Sequence, residues 1–423
     1  MSGDKDEQSD LDDLIDSHKP PSHPKRDNEP PGGFQPGVTM KGNTGHAELV
    51  LPAGQDPRWG EFLEEFGYGN VLELVEVVEV RAWQTFSKDH GKQNLRYIKA
   101  RVVKRRDAAD VEDLERLKDW IMKDEPPQEP LAPFISGNEK TLLVFLSDWQ
   151  LGKREGGGSR ATVERINQAI EHLIEYVSVL RNNGHVINEV VLCGMGDMVE
   201  SCSGFYPMQE FQVDLHMRQQ RMVVRRLLIR IAKKLRPHFA KITFRAVPGN
   251  HGEVRKGGAG SKAFTSFSDN NDVCIFDQLR DVVAEARWGE GIDVHTTQVG
   301  KPELTMSFKI ENGEGASVAV GLAHGHQAGS HSRGDPADKI KKWWTDCSGS
   351  RHPIGYVDML CTGHYHHLRV EDRGERRTWF QCPTLDGGSF WYWARGGRGS
   401  VPGMLVVLAD PAHPRGWCEV KVL

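Results

Sequence analysis

The sequence predicts an α/β fold built on two sheets, preceded by a small α+β module and a disordered tail. Three observations carry this. From about Thr141 onward, short leucine- and valine-rich runs alternate with segments of helical character, the pattern of parallel strands joined by helices. Beyond about Gly300 the helices thin out and short strands dominate, which asks for a second sheet. At the other end, the first eighteen positions hold seven acids and one lysine and are followed by a Pro-, Gly-, His- and Asn-rich stretch. Such a composition cannot bury enough apolar surface to offset the entropy of ordering, so residues 1–45 read as a disordered tail.

Composition narrows the function classes. The 423 residues are 38% hydrophobic with a mean hydropathy of -0.53, which suits about two to three domains of a globular chain. No run approaches the roughly 18 apolar residues that span a bilayer, and the N-terminus lacks the basic-then-apolar order of a secretion signal, so a cytoplasmic protein without a membrane partner is expected. Seven cysteines lie scattered with no C-x-x-C pair, which favours reduced thiols over a disulfide framework or zinc ribbon. A net charge of -5 argues against a uniformly basic coat, but it averages over segments of opposite sign.

Taking the elements in order, residues 58–67 read as a short amphipathic helix stopped by Gly67, residues 71–80 as a β-branched strand and residues 96–103 as a second strand. Between Arg81 and Arg106 stand nine Lys or Arg and one acid, Asp89, with Trp83, Phe86 and Tyr97 interleaved. Cations neutralise phosphates and rings stack on bases, so Arg96, Lys99, Arg101 and Lys104 are candidate nucleic-acid contacts. A solvated hairpin whose rings serve a core fits the segment equally well. A helix over 111–123 closes this module, 57–123, and a Pro-rich linker, 124–138, leads to the catalytic region, 139–423. There, strands are expected at 141–146, 189–193 and 241–247 and helices at 161–181 and 211–235. Strands follow at 303–310, 316–323, 357–361, 367–371, 377–382 and 403–409.

Five of these apolar runs stop at clusters of metal-ligand residue types. The first ends in Ser147-Asp148-Trp149-Gln150 and the second in Gly196-Asp197-Met198-Val199-Glu200. The third ends in Gly249-Asn250-His251, the fourth in His324-Gly325-His326, and the fifth in Gly363-His364-Tyr365-His366-His367. Open α/β sheets place their sites at the carboxyl ends of strands, where such clusters can converge. A pair of divalent cations needs a bridging carboxylate with further carboxylate and imidazole ligands, and that donor set suits manganese, iron or zinc better than calcium. Glycines before Asp197, Asn250 and His364 permit the sharp turns that bring backbone and ligand together.

At these residues the sequence resembles the calcineurin-like metallophosphoesterase superfamily, over about residues 141–385 and in the family's motif order. The layout is similar to phage-encoded members and to the DNA double-strand-break repair nucleases. The resemblance implies a two-sheet sandwich flanked by helices and two divalent ions, Mn2+ foremost, with Fe or Zn as alternatives. Asp148, Gln150, Asp197 and His366 would hold one ion. Asp197 would bridge to the other, held with Asn250, His324 and His364, and His251 would be the general acid. It further implies a phosphodiesterase acting on nucleic acid, DNA foremost, with a homodimer or a partner ATPase as candidate assemblies. Two departures stand out: Gln150 occupies the family's usual histidine position, and no arginine follows the Gly196-Asp197 motif as it does in protein phosphatases. A small-nucleotide phosphodiesterase or phosphatase and a non-catalytic nucleic-acid-binding protein are the alternatives. Residues 256–262 read as a flexible loop, the cations of 217–235 as a solvated helix face, and the aromatics of 385–393 as core or groove lining.

Overall fold

A computed structural model describes residues 36–41, 44–65, 72–87, 91–104, 132–134, 136–205, 209, 212–255, 266–329, 335–388 and 400–423. The chain divides into two compact units, Met1–Ala108 and Ala109–Leu423.

The first unit is a four-stranded antiparallel sheet with one helix. Strands β1 (Gly37–Lys41), β2 (Thr44–Pro52), β3 (Leu72–Ser87) and β4 (Gly91–Lys104) pair in the order β1-β2-β4-β3, and α1 (Trp59–Glu65) lies between β2 and β3 in sequence. Alternation sets its core. Ala47 and Leu49 of β2 and Ile98 and Val102 of β4 are buried together with Phe62 and Leu63 of α1. Two expectations change here. The tail expected over 1–45 already contains β1 and the start of β2, because Gly37 to Lys41 find register partners in Thr44 to Glu48. The module begins with these strands and its boundary falls at Ala108, so the helix expected over 111–123 lies outside both the unit and the described residues.

The second unit is a four-layer α/β sandwich. One sheet has the order β15-β14-β5-β6-β7-β8, from β5 (Lys140–Leu146), β6 (Ile187–Gly194), β7 (Lys241–Ala246), β8 (Ile292–Thr296), β14 (Leu405–Ala409) and β15 (Trp417–Val422). The other has the order β12-β13-β11-β10-β9, from β9 (Thr305–Glu311), β10 (Ser317–Ala323), β11 (Met359–Thr362), β12 (Arg369–Asp372) and β13 (Thr378–Gln381). Strands β5 to β8 run parallel to one another, as do β10, β11 and β13.

Period-two alternation explains the layers. In β5, Leu142, Val144 and Leu146 face α2 (Gly158–Asn182), α3 (Met217–Leu235) and α4 (Asn271–Glu285). Leu143 and Phe145 meet the second sheet through Val318, Val320, Leu322, Met359 and Phe380. The far side of that sheet is covered by α5 (Pro336–Gly349), where Ile340 and Trp344 pack on Ala323, Leu360 and Trp379. With both faces buried, such strands read as continuous apolar runs.

Four details depart from the sequence reading. The strand expected at 403–409 joins the first sheet, antiparallel to β5 with Val406 opposite Val144. Helix α3 starts at Met217, where His216 and Gln219 form a reciprocal capping box, and not at 211. Helices α4 and α5 and strands β8 and β15 are additional, α5 opened by an Asp335 cap on the Ala337 amide with Pro336 in the first turn. Residues 132–134, within the expected linker 124–138, belong to the second unit, where the Asn188 carboxamide both donates to and accepts from the Phe134 backbone.

Candidate metal centre

The parallel strands of both sheets deliver their carboxyl ends to one edge, and the six strongest ligand candidates gather there. The chain leaves β5 through Asp148 and Gln150 with φ of 51° and 42°, and leaves β6 through Asp197 with φ of 52°. His364 and His366, beyond β11, have φ of 70° and 57°. Side chains rarely adopt this left-handed region, and such strain collects at functional sites where the surroundings enforce it. Here the two loops brace each other: the Gln150 amide donates to Asp197 O at 2.9 Å and the Leu151 amide to Met198 O at 3.1 Å. Two glycines are fixed by contact. A Cβ on Gly249 would lie 2.1 Å from Asp197 Oδ1, and one on Gly363 would lie 2.7 Å from Asp148 Oδ2.

His324 is fully buried. Its Nδ1 lies 2.8 Å from Met195 O, which fixes the proton there and turns Nε2 toward Asp197 Oδ2 and Asn250 Oδ1, each at 3.0 Å. His364 stands edge-on to His324 with ring centroids 5.0 Å apart. Asp197, His324 and His364 offer ligand atoms that all lie within 4.8 Å of one another. On the other side, His366 Nε2 is 3.2 Å from Asp148 Oδ1, and the His364 amide donates to both Asp148 oxygens at 3.1 to 3.2 Å.

Electrostatics suits a cation. Burial opposes ionisation of Asp148 and Asp197, yet His366 and His324 beside Asp148, and His324 and His251 beside Asp197, hold both carboxyls below the usual range. Burial followed by the charge of His324 pushes His364 down to about 3. Against the effect of burial, Asp197 pushes His324 up to about 9 and Asp148 raises His366, so ligation by these two requires a cation to displace their protons. A nest of ionised carboxylates, imidazoles and a carboxamide oxygen fits divalent manganese, iron or zinc.

His251 sits next to the ligands, its Nδ1 turned to Glu200 and its Nε2 toward Gln150. Its amide donates to Asp197 Oδ1 at 2.7 Å, while its Nδ1 lies 3.1 Å from Glu200 O and 3.2 Å from Glu200 Oε2. Phe205 stacks on the ring with centroids 4.7 Å apart. Burial disfavours the charged ring, but Glu200 and Asp197 outweigh it and push His251 up to about 10. Its Nε2 is 3.4 Å from Gln150 Nε2, the Gln150 Oε1 being turned toward Lys153 Nζ, so Gln150 offers the ring no acceptor.

Sequence reasoning missed four supporting residues: Asp272, Asp386, Lys153 and Glu200. Asp272, in the first turn of α4, accepts the amides of Asp197, Met198 and Gly249 at 2.8, 3.0 and 3.1 Å. Asp386 lies 3.5 Å from His366 Nδ1 and 2.8 Å from Lys153 Nζ. Glu200 closes the Gly196–Glu200 cluster, where its acidic character was the available signal, but the others carry no motif at all. Of the extra histidines, His326 lies 3.8 Å from Glu253 and is pushed down to about 3 by burial and His324, and the His367 carbonyl accepts from Gln381.

The basic segment behaves differently from the metal donors. Lys99 Nζ is 2.8 Å from Glu48 Oε1, Arg101 is 3.4 Å from Glu76 Oε1, and Arg96 donates to Gln55 O and lies 3.7 Å from Asp56. These three cations therefore have acidic neighbours from β2, β3 and the loop after β2; the side chains of Lys104, Trp83 and Phe86 lie outside the described residues. Two cations of α3 are likewise engaged, Arg225 with Gln278 and Lys234 with Glu171. Residues 256–262 and 389–393 lie outside the described residues; Leu385, which opens the aromatic stretch, is core. Among the described residues no helix is long and apolar enough to cross a membrane.

No family model matches the chain, and no curated protein matches it. Among solved structures it is similar to Vps29 from Chaetomium thermophilum, with 10% identity and a TM-score of 0.29 over 68% of this chain and 96% of that one. It is also similar to a conserved uncharacterized protein, a predicted phosphoesterase, from Streptococcus pneumoniae TIGR4, with 12% identity and a TM-score of 0.22 over 67% of this chain and 98% of that one.

Proposed function

We propose that the second unit is a two-metal phosphoesterase of the calcineurin-like type that hydrolyses phosphodiesters, DNA foremost. The observation that carries the reading is the meeting of Asp148, Asp197 and Asn250 from one sheet with His324, His364 and His366 from the other, beside His251. Asp148, Gln150, Asp197 and His366 would hold one ion, and Asp197, Asn250, His324 and His364 the second. Bound there, divalent cations supply Lewis-acid polarisation of the phosphoryl group and a nucleophilic water at neutral pH. The chain supplies the rest. Asp197 anchors the His251 amide and so fixes where the imidazole stands, Glu200 holds the Nδ1 proton, and Nε2 is the atom left to protonate the leaving oxygen.

The preference for DNA rests on the nine cations of 81–106. One observation favours the small-nucleotide alternative: Lys99 and Arg101 already face Glu48 and Glu76. Hydrolysis of bis-p-nitrophenyl phosphate and of labelled single- and double-stranded DNA, with Mn2+, separates the readings. Turnover of both, abolished by Asp197→Asn, is the expected result. Turnover of the small diester alone selects the small-nucleotide reading, and turnover of neither by the Mn2+-loaded protein refutes phosphoesterase activity.

A further inference from the structure

The two halves of the centre are not built alike. Around Asp197, the Asn250 carboxamide oxygen faces His324 Nε2 at 3.0 Å, but His324 is itself a candidate ligand whose proton a cation would displace. Around Asp148, the Gln150 carboxamide oxygen already has a donor: Lys153 Nζ lies 3.3 Å from Gln150 Oε1 and 2.8 Å from Asp386 Oδ2. The Lys153 and Asp386 side chains are only 11% and 2% exposed, so this is a desolvated pair and not a screened surface contact. Asp386 is itself fixed, its amide donating to Thr384 Oγ1 at 2.9 Å and its Oδ1 accepting from the Gly388 amide. A turn in which the Lys153 amide donates to Gln150 O at 3.0 Å returns the lysine onto the residue it contacts.

We propose that Lys153 is a positioning residue that holds the Gln150 carboxamide oxygen, with Asp386 as its anchor, so that the Asp148–Gln150–His366 half binds its cation more weakly than the Asp197–Asn250–His324–His364 half. The proposal rests on the metal-centre reading above. A neutral oxygen shared with an ammonium is a poor ligand, and to serve a cation it must turn from Lys153 or share its lone pairs. Where most ligand sets gain affinity from the residues behind them, this one is set to release its ion.

The test is calorimetric titration of the chelator-stripped full-length protein with Mn2+, a readout independent of turnover. Wild type should show two binding events with Kd values apart by about 10-fold or more, the size of effect that residues behind metal ligands commonly command. Lys153→Met should tighten the weaker event and leave the stronger one in place, and Lys153→Arg should keep it weak. In a Gln150→Ala background the Lys153→Met gain should vanish, because no carboxamide remains to be released. If the gain persists there, the lysine acts by charge alone and the proposal is wrong; equal affinities in wild type, or no gain in Lys153→Met, also overturn it. Should Lys153→Met lose its far-ultraviolet circular dichroism signal, Gln150→His decides instead, since an imidazole donor must tighten the weaker event. Asp197→Asn tests the underlying reading separately: if both events survive it, the metal centre itself is misassigned.

Discussion

Asp272 offers the sharpest energetic test of how the centre is held. It is fully buried, its Oδ2 accepts the Asp197 and Gly249 amides, and its Oδ1 accepts the Met198 amide. One side chain thus ties together the two loops that carry Asp197 and Asn250. Asp272→Ala leaves three buried N–H groups without an acceptor. At about 1–3 kcal/mol for each such group, with relaxation placing the sum toward the low end, the loss should be about 3–6 kcal/mol. That is a large part of the roughly 5–15 kcal/mol that stabilises a domain. Asp272→Asn keeps the shape and one acceptor oxygen but opposes an NH2 to one amide, so its cost should be about 1–3 kcal/mol. Urea unfolding of the metal-free protein measures both, with Mn2+ affinity followed in parallel. Burial, and then the charge of Asp197, push Asp272 up to about 7 from an ordinary 3.8. Because the folded value is the higher one, its contribution is fully present below about pH 4 and lost as pH rises through about 7, a slope that Asp272→Asn should remove. An alanine variant that costs under about 1 kcal/mol, or no more than the asparagine variant, would refute the bracing role.

His251→Ala should lower kcat roughly 10²-fold with metal content unchanged, as measured by steady-state kinetics and elemental analysis; loss of metal would show a different role. In the metal-free protein, the contribution of His251 to stability should be present below about pH 6.5 and lost as pH rises through about 10, and imidazole NMR should show that value fall in Glu200→Gln. Joint neutralisation of Arg96, Lys99, Arg101 and Lys104 should weaken DNA binding, with the slope of log K against log salt reduced by roughly 0.7 to 0.9 for each phosphate that the protein no longer neutralises. Hydrolysis of the small diester should persist, and an unchanged slope would move the assignment to small nucleotides. Gly249→Ala should displace the Asp197 carboxylate, whose Oδ1 lies 2.1 Å from the new Cβ, and weaken Mn2+ binding by about 10-fold or more in the same calorimetric titration.

The donors were legible because each one directly follows an apolar strand, so sequence order and spatial order coincide at Asp148, Asp197, Asn250, His324 and His364. The supports were not. Asp272 serves the Asp197 loop from 75 positions away, and Asp386 reaches His366 from the end of a different strand, so only the folded chain brings them together. The acidic neighbours of residues 81–106 were not legible for a related reason. A count along the chain finds one acid, but pairing sets Glu48 against Lys99 and Glu76 against Arg101 from neighbouring strands. Strands β1 and β2 were lost in a glycine-rich stretch, although Ala47 and Leu49 alternate with His46 and Glu48 in the period that marks a half-buried strand.

The split of the donors between two sheets makes the apolar layer between them a ruler. Asp148, Asp197 and Asn250 ride on one slab and His324, His364 and His366 on the other, while Leu143, Phe145, Val320, Met359 and Phe380 set the spacing. Side chains in such a layer are close-packed, so a change of one methylene translates one slab against the other. Oxygen-rich and nitrogen-rich halves of the coordination shell would then separate or close as blocks. Choice among ions of different radius could therefore be adjusted by substitutions that never touch a ligand, at positions that ordinary inspection would assign to stability alone.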